Sequence, residues 1–144
     1  MKILFLFILI FHISHINADE IYNLIKIPNL EIYKLKNDNN IRYLSTKGNF
    51  KIGVNKNITC DKVNINNLNL KFPVIEKNLN RYNSNFLNKI KLKYIVFCEN
   101  LFISEINTGG IPGNKNRTLI LDINFNQKYF ERMIHHEIFH MIQN

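Results

Sequence analysis

Near the end of the chain, His136-Glu137-Ile138-Phe139-His140 forms the pattern H-E-x-x-H. On a helix, residues four apart share a face, so His136 and His140 can turn two imidazoles toward one ion. Neutral imidazole suits Zn²⁺, and a bound ion lowers the pKa of its water toward about 7. Glu137 follows His136 directly and lies three residues before His140, which lets its carboxylate lean toward that water. It would take a proton as general base and hand it to a leaving amine. His136 and His140 are therefore the candidate metal ligands, Glu137 the candidate catalytic residue and Zn²⁺ the candidate cofactor. His135 stands about 100° round the same helix and should turn away from the ion, into packing or a supporting contact. Glu131 lies four residues before it, at i,i+4 spacing. Glu105 and Asp122 precede the helix; Asp122 reads as a strand-end residue, and neither is assigned as a ligand.

A helix must carry this motif, and the period predicts one over residues 127–142, with Asn124 or Asn126 as its cap. Phe130, Ile134, Ile138, Met141 and Ile142 supply its apolar positions. Upstream, Ile75, Leu79, Tyr82, Phe86 and Ile90 recur at helical spacing across 73–91, with Pro73 suited to a first turn. Tyr94-Ile95-Val96-Phe97-Cys98 is a continuous apolar run of strand length, expected at the centre of a sheet and continued by Leu101-Phe102-Ile103. Thr118–Ile123 reads as a further strand. Residues 108–114, with Gly109, Gly110, Pro112 and Gly113, read as a loop without the lysine of a phosphate-binding loop. Earlier, Leu30–Leu35, Ile41–Leu44 and Phe50–Val54 read as short strands, with a turn at Lys47-Gly48-Asn49. Val63-Asn64-Ile65 reads as one more.

Residues 74–144 resemble the front half of a zincin metallopeptidase catalytic domain, in which a helix backs a twisted sheet and a second helix carries H-E-x-x-H. The resemblance implies His136 and His140 as zinc ligands and Glu137 as general base. It implies an α+β, zincin-like fold that is apparently truncated: a metzincin extension would need glycine where Gln143 stands, and other zincins take a third ligand from further downstream. The expected organisation is a signal peptide over 1–18, a β-rich lead-in over 19–72 and the front half of the catalytic domain over 73–144. The expected function is a secreted zinc-dependent metallopeptidase acting on peptide or protein substrates, incomplete as given. The alternative is a non-enzymatic secreted domain with a vestigial H-E-x-x-H helix.

Composition frames these readings. The chain has 144 residues and is 46% hydrophobic, enough for one folded domain. Met1-Lys2 followed by the apolar run Ile3–Ile13 suits a signal peptide better than a membrane span, with cleavage expected after Ala18. No stable membrane span is expected after that cleavage, and the product is secreted or extracytoplasmic. Its charge falls by one lysine from the +8 of the whole chain, to +7. The basic residues look scattered in sequence, with no dense arginine stripe and no nucleic-acid fingerprint, so no nucleic acid is expected as partner. A domain binding polyanions through charge alone is the weakest of the three readings. Cys60 and Cys98 suit a disulfide in an exported chain. Asn57-Ile58-Thr59 and Asn116-Arg117-Thr118 match the N-glycosylation pattern.

Overall fold

The computed structural model describes residues 27, 29–34 and 39–143; the expected signal peptide lies outside the described residues. The fold is α+β, a curled sheet with a helix-bearing C-terminus. Its strands are β1 (Leu30–Lys34), β2 (Arg42–Thr46), β3 (Phe50–Ile52), β4 (Ile58–Asp61), β5 (Tyr94–Ile103), β6 (Ile106–Asn107), β7 (Gly110–Gly113) and β8 (Thr118–Asp122). Its helices are α1 (Ile65–Leu79), α2 (Ser84–Lys89) and α3 (Phe130–Gln143).

β5 organises the sheet. Its first half runs parallel to β2 on one side and to β8 on the other. Its second half pairs antiparallel with β4 and β6. Between the halves Asn100 takes a positive φ of 54°, and the β4 register shifts between Thr59 and Asp61. Bulged registers increase local twist, which accounts for the curl. The apolar run of β5 serves two cores because alternate side chains face opposite sides. Ile95 and Phe97 join Tyr43, Leu119 and Leu121 under the helices. Val96 and Cys98 join Leu44, Phe50, Leu101 and Ile120 on the other face. There Cys60 and Cys98 form a disulfide with Cα atoms 6.0 Å apart, tying β4 to β5. Closing a loop of this length contributes about 4 kcal/mol in the chain-entropy account. Among the described residues no helix is long and apolar enough to cross a membrane.

Three local expectations are corrected. The helix expected over 73–91 is two helices. The first begins at Ile65, eight residues before Pro73, and the second opens at Ser84. Asparagine chemistry sets both starts. The Asn64 side chain accepts the Asn66 and Asn67 amides, and Asn83 Oδ1 accepts the Phe86 amide at 2.8 Å. Val63-Asn64-Ile65 is thus a helix entry rather than a strand. Pro73 stands mid-helix on an exposed position. The stretch 108–114 contains β7, an edge strand antiparallel to β8 with Pro112 opposite Leu119. An edge is where a strand tolerates proline.

Candidate metal centre

α3 is entered through a 3-10 turn, Gln127–Tyr129, whose Asn126 side chain accepts the Lys128 amide at 3.2 Å. Its apolar stripe, Phe130, Met133, Ile134, Ile138 and Met141, is buried under α1 and against the sheet. That burial fixes the helix's rotation and brings His136 and His140 to the flank between core and solvent. Their Nε2 atoms converge to 2.9 Å, with ring planes 88° apart. Nitrogens at this distance are hydrogen-bonded, one imidazole donating to the other, and two imidazoles on one helix face are a pair that could hold a divalent cation.

Glu137 is 6% exposed and lies beneath β7. A Cβ on Gly110 would stand 2.7 Å from Glu137 Cγ, so the strand can cross the helix here only at glycine. Gly109 packs against Met133 and Phe125 in the same way. Burial pushes the Glu137 carboxyl up to about 7, against the opposing pull of His140. Beside it opens a depression of about 350 Å³, whose lining includes Thr108, Gly109, Tyr129, Arg132, His136 and Glu137. His140 does not line it.

His135 is turned to the other flank, toward α1. Its Nε2 meets Asn78 Oδ1 at 2.9 Å and its Nδ1 meets the Tyr82 hydroxyl at 2.5 Å. Asn78 Nδ2 donates to Glu131 Oε2 at 3.0 Å and to the Val74 carbonyl at 2.8 Å. Since Oδ1 can only accept, His135 carries its proton on Nε2 and receives the tyrosine hydroxyl on Nδ1. Burial, reinforced by Arg81 and opposed by Glu131, lowers the pKa of this imidazole, which suits its neutral form. Glu131 thus reaches His135 through Asn78 rather than as a direct i,i+4 pair. Asn78 carries no local motif, and its part in the site is invisible in sequence.

Asp122 is saturated elsewhere. It accepts the amides of Asn100, Leu101 and Asn124 and the Asn107 side chain, and so locks β8 to the bend of β5. Glu105 lies exposed in the β5–β6 turn. Among the described residues no group of three or more His, Cys, Asp or Glu side chains converges as a metal-ligand set. The donor set in place is therefore two imidazoles with a carboxyl beside them. Comparison with family profiles, with characterised proteins and with solved structures finds no match.

Proposed function

We propose that this protein is a zincin-like, zinc-dependent metallopeptidase, with His136 and His140 as metal ligands and Glu137 as general base. The observation carrying the reading is the convergence of the two Nε2 atoms at 2.9 Å beside a buried carboxyl whose pKa is raised to about 7. A zinc ion, when bound, supplies Lewis acidity and a water of lowered pKa. The chain's own contribution is positional and protonic. α3 holds the two imidazoles. Glu137, poised near neutrality, accepts a proton from the attacking water and returns it to the leaving nitrogen. β7 passes directly above, and among the described strands it pairs with β8 alone, so its outer edge can receive an extended peptide. The disulfide fits an oxidising, extracytoplasmic setting for such an enzyme.

One observation favours the second reading, a non-enzymatic secreted domain with a vestigial motif helix. A catalytic zinc site uses three protein ligands, and the described residues bring together two imidazoles. Zinc titration of the full chain by calorimetry, alongside cleavage of a peptide library with and without chelator, separates the two. The peptidase reading expects one zinc per chain, lost in His140→Ala, and chelator-sensitive cleavage lost in Glu137→Gln while zinc is retained. Zinc binding without cleavage moves the assignment to the vestigial domain. No zinc binding at micromolar concentration removes the metal centre.

A further inference from the structure

Basic residues that are scattered in sequence meet at one pole of the fold, the end of the sheet where the parallel strands β2, β5 and β8 begin. Arg42 and Tyr94 are register partners, as are Tyr94 and Thr118. The backbone ties the segments together: the Arg42 amide donates to the Lys93 carbonyl at 2.9 Å, and the Lys93 amide donates to the Arg117 carbonyl at 2.9 Å. Arg117 Nε reaches the Lys91 carbonyl at 3.4 Å. Lys93 and Arg117 stand one residue before Tyr94 and Thr118, which share a register with Arg42, so the three cations lie at adjacent strand ends spaced about 4.8 Å apart. Lys89, Lys91 and Lys115 flank those strand ends. Residues 39–42, 89–94 and 113–118 thus hold six cations and no carboxylate. None of the six forms an ion pair among the described residues, whereas Lys34 and Lys47 elsewhere do. Arg42, Lys89, Lys91 and Lys115 are exposed.

We infer that this pole is a docking surface for an acidic, sulfated polysaccharide. Like-charged side chains gathered at adjacent strand ends gain their favourable partner from a polymer carrying many anions. A membrane surface fits less well. An interfacial site sets apolar side chains among its cations, and the large exposed hydrophobics of the described residues, such as Leu70, Ile106 and Phe139, all lie outside these three segments. A single-stranded nucleic acid fits less well, because base-stacking needs open aromatic faces. Tyr94, the aromatic residue of the three segments, has Lys93 Nζ 5.2 Å from its ring centroid. The disulfide adds that the partner is met in an oxidising compartment, where cell-surface and matrix polysaccharides are found.

The test uses heparin as the defined sulfated polysaccharide. The full chain is produced through the bacterial periplasm, which forms the disulfide and adds no glycan at the Asn116 sequon. Heparin affinity is measured across a salt series. A patch variant carries Arg42→Gln, Lys91→Asn, Lys93→Gln and Lys115→Gln. A control of equal charge carries Lys51→Gln, Lys62→Gln, Lys77→Gln and Lys128→Gln. The chain should bind heparin at about 0.15 M salt. The patch variant should bind at least roughly tenfold more weakly and with a shallower salt slope, while the control stays within about twofold. Equal losses in the two variants, or no binding by the unaltered chain, overturns the proposal. So does stronger patch-dependent binding to anionic phospholipid vesicles or single-stranded DNA than to heparin. Circular dichroism checks that each variant folds; should the quadruple patch variant fail, Lys93→Gln and Lys115→Gln are read singly against Lys51→Gln and Lys62→Gln.

Discussion

His135 and His136 are neighbours in the chain and stand in opposite conditions. On the α1 flank of α3, His135 has both ring nitrogens engaged, by Asn78 and Tyr82, and the asparagine is itself satisfied by Glu131 and Val74. A buried polar network completed in this way specifies one helix rotation, since turning α3 would leave several desolvated groups without partners. On the other flank, His136 and His140 point at each other, one imidazole donating to the other. Glu137 beside them is buried with its carboxyl raised to about 7. The first flank has settled its polar groups at folding. The second holds a carboxyl whose pKa burial has raised. One helical step thus separates a completed hydrogen-bond network from a buried, raised carboxyl.

The contrast can be broken most sharply at the ligands. His140→Ala should weaken zinc binding by roughly a hundredfold or more, because ligand count dominates metal affinity. The metal-free melting temperature should move by no more than about 2 °C, as partly exposed surface groups contribute little to stability. Calorimetry and a chelated melt read the two effects. A large loss of metal-free stability would mean that this flank, too, is structural.

Next in size is Glu137→Gln in metal-free protein. The folded pKa of Glu137, about 7, lies above its unfolded value of about 4.5. The native state therefore keeps a proton that the unfolded chain has released, and stability falls as pH rises from about 4.5 through about 7. The shift corresponds to at most about 3 kcal/mol. The glutamine variant should lack this slope and be the more stable protein at pH 8. Denaturant melts at pH 5 and pH 8, with chelator, compare them; parallel behaviour of the two proteins would rule out a buried, raised carboxyl.

Asn78→Ala tests the settled flank. It leaves the His135 Nε2–H without its acceptor, while the exposed Glu131 carboxylate turns to water, and should cost about 1–3 kcal/mol. Zinc affinity should fall less than it does in His140→Ala, since the ligands remain and only their support is loosened. A variant of wild-type stability would show that the network does not hold α3.

The smallest effect belongs to Lys71 in α1. Its Nζ is buried without a hydrogen-bond partner and lies 4.6 Å from the Phe130 ring centroid. Burial lowers its pKa, with Asp122 opposing. The native state thus disfavours the charged amine, and stability should rise as pH approaches the unfolded value of about 10.5. Lys71→Met should raise stability by up to about 1 kcal/mol at neutral pH and flatten that rise. A fall in the melting temperature would show that the cation–ring contact outweighs the desolvation.

Most of the secondary structure was legible. Partial alternation marked β1, the apolar run marked β5, and the 3.6-residue period marked α3. The errors lie where short polar side chains or glycines compete with a pattern. Asn80–Asn83 interrupts a continuous helical stripe because Asn83 caps a new helix instead of extending the old one. β4 is not legible in sequence because its four residues, Ile58–Asp61, carry too little pattern to stand out. Gly109 and Gly110 read as loop signals, yet they are glycine because a helix passes directly beneath.

From sequence came the periodic placement of His136 and His140 on one helix face, with Glu137 one step round and His135 turned aside. Helical geometry is local, so four residues of spacing suffice to set it. Sequence also suggested that Cys60 and Cys98 would pair, without indicating that they join β4 to β5. Tertiary structure decided the rest. It placed β7 over Glu137, raised that carboxyl by burial, and brought Asn78 to His135 across a separation of 57 residues. It also gathered Arg42, Lys91, Lys93, Lys115 and Arg117 at one end of the sheet. The reason is physical: desolvation and charge crowding depend on which distant surfaces pack together, and no short window of sequence contains that information.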